Sequence, residues 1–391
     1  MEEYFVDLHI HIGRTATGKP VKITGAKSLT IENILLESTE VKGMDMVGVI
    51  DCHVPEVLNE LQAMVASGEV VELEEGGLRF QKVTLLLGSE IEIYDEHCKG
   101  PIHVLAYLPT IHSMIEFSDW MSKRMKNITL SSQRMYETGL NLQKKVHELK
   151  GIFIPAHIFT PYKSLYGRGV TTSLGEVFDS TLIDAVELGL SSDTFMADQI
   201  QELHQYSFVT NSDAHSLPKI GREYQKIKME YPSFEEFRKA LHKKNGRGIV
   251  ANYGLDPKLG KYHQTTCDKC LTMLENTKEA CPECGSTKIV KGVYDRLQEL
   301  KTNSGETVVR PPYIHQVPLE FIPGLGPKTL EKLRDYFKTE MAILHEAPEE
   351  TLRSILTKGI AESIIKARNG TLSFQSGGGG KYGKVDVFDV F

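Results

Sequence analysis

Near the start of the chain stands Asp7-Leu8-His9-Ile10-His11. On a β-strand, residues two apart point to the same side, so this alternation puts one carboxylate and two imidazoles on one face. Burying such groups without partners is costly, and packing does not account for the pattern. The same residue types recur downstream as Asp51-Cys52-His53, Glu90-Ile91-Glu92, His103, Pro155-Ala156-His157 and Asp213-Ala214-His215. Mixtures of imidazole and carboxylate suit Zn, Mn or Fe. A carboxylate shared between two ions suits in-line phosphoryl displacement. His97, His112, His147, His204 and His242 lack such companions and read as surface residues.

The positions of these groups depend on the elements before them. Short apolar runs at 4–6, 46–50, 83–87, 102–108, 152–155, 185–188 and 206–210 read as strands. Helix-like stretches at 31–42, 56–65, 115–149 and 197–204 lie between many of them. Alternating strands and helices predict βαβ units and a parallel sheet. Seven strands in about 250 residues predict an α/β barrel, whose chemistry sits at the strand C-termini. Asp7, His9, His11, Asp51, His53, Glu90, His157, Asp213 and His215 all follow their strands, whereas His103 sits near the start of its own.

After residue 250 the character changes, and the chain of 391 residues divides into 1–250 (barrel), 251–300 and 301–391. Cys267-x-x-Cys270 and Cys281-x-x-Cys284 match a structural tetrathiolate zinc site. Cys52 and Cys98 are isolated thiols. Phe321-Ile322-Pro323-Gly324-Leu325-Gly326-Pro327-Lys328 lies between helical stretches, where glycine amides and a helix N-terminus can take a phosphate. A second possible hairpin lies near Lys358-Gly359-Ile360, and a four-glycine run, 377–380, precedes an apolar tail.

Charge follows the same division. From residue 241 onward there are 22 Lys and Arg against 18 Asp and Glu, within a net charge of -7 for the whole chain. The acidic front half suits cations, and the mildly basic rear half suits a polyanion. No apolar run approaches the roughly 20 residues of a membrane span. The acidic start, Met1-Glu2-Glu3-Tyr4, predicts no signal peptide and hence a cytoplasmic protein.

The pattern of Asp7/His9/His11, Asp51/His53, Glu90, His103, His157 and Asp213/His215 resembles the PHP (polymerase and histidinol phosphatase) superfamily over residues 1–250. That resemblance implies a distorted seven-stranded βα barrel with two or three divalent ions at its rim, Zn or Mn, with Mg as an alternative for activity. It implies that His9, His11, Glu90 and Asp213 hold one ion, and that Glu90, His103 and His157 hold a second. It implies that His53 and His215 help hold a third, Asp51 completes the ligand set, and Glu90, Asp213 and His215 stand closest to the chemistry. Two departures bear on the third ion: Cys52 separates Asp51 from His53, and residues 12–30 contain no His, Asp or Glu.

With the linker 254–263, the four-cysteine zinc module and the PGLGPK hairpin, the whole chain resembles the endonuclease Q family. This implies a DNA repair endonuclease. It would cut 5′ of a deaminated base (uracil, hypoxanthine or xanthine) or an abasic site, leaving 3′-hydroxyl and 5′-phosphate ends. The DNA-contacting residues expected are Gly324, Gly326 and Lys328 in the hairpin, and Tyr162, Lys163 and Tyr166 in the loop after His157. Arg14, Lys27 and Arg222 are further basic groups near the rim. A small-molecule phosphatase and a non-catalytic nucleic-acid-binding protein are the competing readings.

Overall fold

Strand β1 (Glu2–Ile10) is exposed at its start and buried at its end. It pairs in parallel with β2 (Met46–Val49), and β2 with β3 (Val83–Ile93). β4 (Ile102–Leu108) runs antiparallel to β3, and β5 (Ile152–Pro155) antiparallel to β4. β6 (Ala185–Glu187) and β7 (Ser207–Val209) pair in parallel. Backbone bonds close the ring. Asp184 N donates to Phe153 O at 3.0 Å, Ile158 N to Glu187 O at 2.9 Å and Ala214 N to His9 O at 2.9 Å. Seven strands therefore form the barrel, as expected. One cluster of Leu8, Ile50, Leu86, Leu105, Ala185 and Val209 draws on most of these strands and fills the interior. The computed structural model describes residues 1–260, 262–274, 280–302, 308–375 and 383–385. The four-glycine run and the tail beyond Val385 lie outside them.

Three features differ from the expected parallel alternation. The connection from β3 to β4 spans only 94–101, too short for a parallel crossover, so the pair is antiparallel. The beginning of β4, rather than its end, then lies at the rim, which explains the position of His103. Second, the expected helix 115–149 is two helices, α1 (Ile111–Ser122) and α2 (Gly139–Glu148). Between them Asn127 Oδ1 accepts from Thr129 N at 2.9 Å, an Asx turn that competes with helix, and Thr138 caps α2. Third, β1 gains one residue on β2: Asp7 faces Val47 but Ile10 faces Val49. This bulge breaks the period of two.

The rear half is joined to the barrel sheet. β8 (Tyr224–Met229) pairs antiparallel with the first half of β1, β9 (Gly248–Gly254) with β8, and β10 (Tyr313–His315) in parallel with β9. Lys42 and Glu340 form a buried ion pair at 2.8 Å, and Tyr224 Oη lies 2.6 Å from His345 Nε2. These contacts lock the C-terminal helices onto the barrel. Among the described residues no helix is long and apolar enough to cross a membrane.

Glu223, just before β8, is fully buried, and its Oε2 has no partner among the described residues. Its Oε1 accepts from Leu255 N at 2.8 Å. Burial pushes this carboxyl up to about 8. The folded state thus binds a proton that the unfolded chain releases near its ordinary value. The contribution to stability is complete below that value and is lost as pH rises through about 8. Glu223→Gln is expected to raise Tm by several degrees at pH 9 and by less at pH 5. Equal shifts at both pH values, measured calorimetrically, would contradict the buried neutral acid.

Candidate active site

The bulge in β1 turns His9 and His11 together to the rim while separating them from Asp7. Asp7 accepts instead from Ser212 N at 3.0 Å and Gly221 N at 2.9 Å, tying β1 to the segment after β7. His9 Nε2 lies 3.5 Å from Glu90 Oε1 and 3.6 Å from Asp213 Oδ1. His11 Nε2 lies 3.6 Å from Glu90 Oε2 and 3.5 Å from Asp213 Oδ1. His103 and His157 approach Glu90 Oε1 at 2.7 and 3.4 Å, and His215 Nε2 approaches Asp213 Oδ1 at 3.3 Å. Three donor groups result: His9–His11–Glu90, Glu90–His103–His157 and His11–Asp213–His215, each with its donor atoms within 4.8 Å of one another. They are chained through Glu90 and His11.

These groups fit cations. Among the described residues His9 Nε2, His11 Nε2 and His103 Nε2 are buried without a hydrogen-bond partner, a costly state that a bound ion relieves. Burial opposes ionisation of Glu90, but His103 and Lys22 hold its carboxyl well below the usual carboxylate range, so it stays an anion.

Behind the donors lies a layer that aims them. Glu187, on β6, pairs with His9 Nδ1 at 3.0 Å and accepts from His157 N at 2.8 Å. Asp51 Oδ2 pairs with His11 Nδ1 at 3.1 Å and accepts from Ile12 N at 2.8 Å. His53 Nδ1 meets Ser89 Oγ at 2.8 Å, and Thr24 Oγ1 meets His215 Nδ1 at 3.2 Å. Asp51 and His53, expected as ligands, belong to none of the three donor groups; Asp51 braces His11 through Oδ2, while its Oδ1 is buried without a hydrogen-bond partner among the described residues. Cys52 is fully buried, its thiol donating to Val49 O at 3.1 Å, so the residue between them is a packing group.

Above the donors opens a cavity of about 550 Å³, lined among others by Lys22, Ser132, Gln133, Tyr162 and Lys163. A second cleft, of about 480 Å³, shares Asp213 and His215 with it and contains Arg222 and Tyr262. Ser132, His157, Lys163 and Asp213 all have positive φ, at 53°, 29°, 51° and 46°. Four non-glycine residues in this conformation around one cavity are strain concentrated at a working site. Lys22, Ser132 and Glu187 were not singled out from the sequence, and Lys22 and Ser132 both touch Glu90.

In the loop after His157, Tyr162 is 42% exposed and Lys163 pairs with Glu92 at 2.9 Å. Tyr166 is a correction. It is fully buried, stacked on Phe159, and its hydroxyl donates to Glu202 at 2.7 Å, so no ligand can stack on it.

The four cysteine Sγ atoms at 267, 270, 281 and 284 lie within 4.8 Å of one another, and four thiols fit one structural zinc. Each CxxC is followed by a residue with positive φ, Leu271 at 63° and Gly285 at 69°, so the same knuckle turn is made twice. In the hairpin, Gly324, Gly326 and Lys328 are exposed around the start of the helix Pro327–Phe337. Gly324 has φ +81°, whereas Gly326 has an ordinary φ of -77°. The backbone argument for glycine therefore holds at Gly324 alone. The second hairpin region packs on the first, with Ile360 beside Gly324.

A closed barrel with chained histidine–carboxylate groups at one rim defines a metal-dependent phosphoesterase of the PHP type. The family described as PHP-associated matches residues 193–245. The uncharacterised protein YqxK of Bacillus subtilis is 57% identical over 385 residues, 98% of this chain and all of that one. The lesion-specific endonuclease Q of Pyrococcus furiosus superposes with a TM-score of 0.84 at 32% identity, covering 99% of this chain and 96% of that one. Endonuclease Q in complex with a 27-mer duplex carrying an abasic lesion at its active site superposes with a TM-score of 0.85, again at 32% identity, covering 99% and 97%. The chain belongs to the endonuclease Q family and is a metal-dependent endonuclease.

Proposed function

We propose that this protein hydrolyses the DNA phosphodiester immediately 5′ of a deaminated base (uracil, hypoxanthine or xanthine) or an abasic site, leaving 3′-hydroxyl and 5′-phosphate ends. The observation that carries the reading is the chain of three donor groups through Glu90 and His11 at the floor of an open cleft. His9, His11, Glu90, His103, His157, Asp213 and His215 hold two or three divalent ions in this reading, with Glu90 shared. Asp51 keeps His11 aimed and Glu187 keeps His9 aimed. Ions bound there supply neutralisation of the phosphate oxygens and a more acidic attacking water. Asp213 and His215 are half-buried at the mouth, where the phosphodiester must enter.

The rest of the chain places the duplex. The amides near Gly324 and the Lys328 ammonium grip backbone phosphates, which position DNA without reading it. Tyr162 offers a face on which an unstacked base can lie. Flipping a base costs a few kcal/mol and least at a mispaired or missing base, which favours damaged sites from the outset. A small-molecule phosphatase needs neither the four-thiol module nor the hairpin. Protein supplied with Mn²⁺ or Zn²⁺ is expected to cut labelled duplexes once, 5′ of uracil, hypoxanthine or an abasic site, and to leave the undamaged duplex whole. Hydrolysis of histidinol phosphate without cutting of any duplex would favour the phosphatase instead.

A further inference from the structure

We infer that Lys22 is a phosphate-binding residue of the rim, a fixed ammonium that takes a non-bridging oxygen of the scissile phosphodiester beside Glu90; this rests on the reading of the rim as a phosphodiesterase centre. Lys22 Nζ lies 2.6 Å from Ser132 Oγ and 3.3 Å from Glu90 Oε2, with its side chain only 14% exposed. Among the described residues it is the one ammonium or guanidinium that forms an ion pair with a carboxylate of the three donor groups. An ammonium has three donors. Two are directed to Glu90 and Ser132, and Lys22 also lines the cavity into which the third can point.

The loop that carries Lys22 is clamped in place. Lys22 N donates to Ile12 O at 2.8 Å, Val21 N to Gly13 O at 3.1 Å and Ser131 N to Val21 O at 3.0 Å. Farther along, Ala26 N donates to His215 O at 2.8 Å, and Thr24 meets the His215 ring. At Gly13 a Cβ would come within 1.9 Å of Ala26 O, so a side chain there would push the loop outward. One rigid loop thus spans from the Glu90 groups to the Asp213–His215 group. Residues 12–30 contain no acid and no histidine, so this loop offers no metal ligand. It brings a cation of its own to the place where a phosphodiester's charge must be met.

The test uses full-length Lys22→Ala and Lys22→Arg, with Lys19→Ala, an exposed lysine paired with Glu56, as the control. Elemental analysis counts bound divalent ions, calorimetry measures inorganic phosphate binding to the metal-loaded protein, and cleavage of uracil-containing duplex is followed. Lys22→Ala is expected to keep its ion count, to bind phosphate about tenfold more weakly and to lower kcat about 10²-fold. Lys22→Arg recovers part of both losses. Unchanged phosphate affinity in Lys22→Ala overturns the inference, and so does a parallel loss of ions, because Lys22 would then only support Glu90. If the wild type leaves lesion-containing DNA uncut while Lys22→Ala still loses phosphate affinity, the endonuclease reading fails and the assignment of Lys22 stands.

Discussion

Glu90→Ala is expected to lower cleavage by at least about 10³-fold and to release divalent metal from the rim. Glu90 belongs to two of the three donor groups. Its Oε1 faces His9, His103 and His157, and its Oε2 faces His11 and Lys22. With the carboxylate gone, the largely buried Lys22 ammonium loses its counter-charge and four imidazoles lose the acceptor on which they converge, and an unpaired buried charge is strongly unfavourable. The His9–His11 pair and the His103–His157 pair then have no common anion. Glu90→Gln serves as the shape-preserving partner: it keeps one carbonyl oxygen, loses the charge, and should lose nearly as much activity. Circular dichroism should match the wild type in both variants, since β3 is paired on both sides by β2 and β4. Activity within tenfold of the wild type in either variant would remove Glu90 from the centre of the chemistry.

How far the rim is legible in the sequence depends on the kind of contact involved. His9 and His11 are separated by one residue, so strand alternation alone brings them together. The single-residue bulge that detaches Asp7 leaves no such mark, because Asp-x-His-x-His reads the same with or without it. The position of His103 makes sense only once β4 is known to reverse direction, and the short connection of 94–101 was the available signal. Glu187 meets His9 across 178 residues, and its only local mark is being a lone acid within the apolar run 185–188. Ser132 fell within a stretch read as helix, where an Asx turn and a left-handed backbone prevailed over helical periodicity. Lys22 carries no mark in the sequence, because a lone lysine in a loop is ordinarily a solvated charge. Tyr166 fails in the opposite direction: an aromatic beside a basic loop suggests stacking, but π-helical winding at Leu165–Gly169 turns it into the core. Tyr162, four residues earlier, remains at the surface.

Cys281→Ser is expected to release about one zinc per chain and to unfold the zinc module while sparing the barrel. Apparent binding free energies of structural zinc, about 10–16 kcal/mol in isolated fingers, are folding free energies, since no preformed site exists without the fold. Among the described residues, little apolar packing holds this module together. Its apolar cluster is Cys267, Leu274 and Cys281, with Cys284 and Ile289 packed against it, and its sheet is one pair of two-residue strands, Thr266–Cys267 and Ile289–Val290. Three of the five cluster members are themselves proposed zinc ligands. The melting should stop at the helix Val293–Leu300, because Arg296 donates from there to Tyr166 O, Val170 O and Thr171 O on the barrel. Hydrogen exchange should accordingly rise across 264–291 and stay low in that helix and in the barrel strands. The rim ions should remain, since their donors come from other elements. Cys98→Ser, which alters an isolated buried thiol, should leave the zinc count unchanged. If Cys281→Ser retained the full zinc count, the four cysteines would not be one site. If exchange instead spread into β5 and β6, the module would be a structural part of the barrel rather than an appendage anchored to it by Arg296.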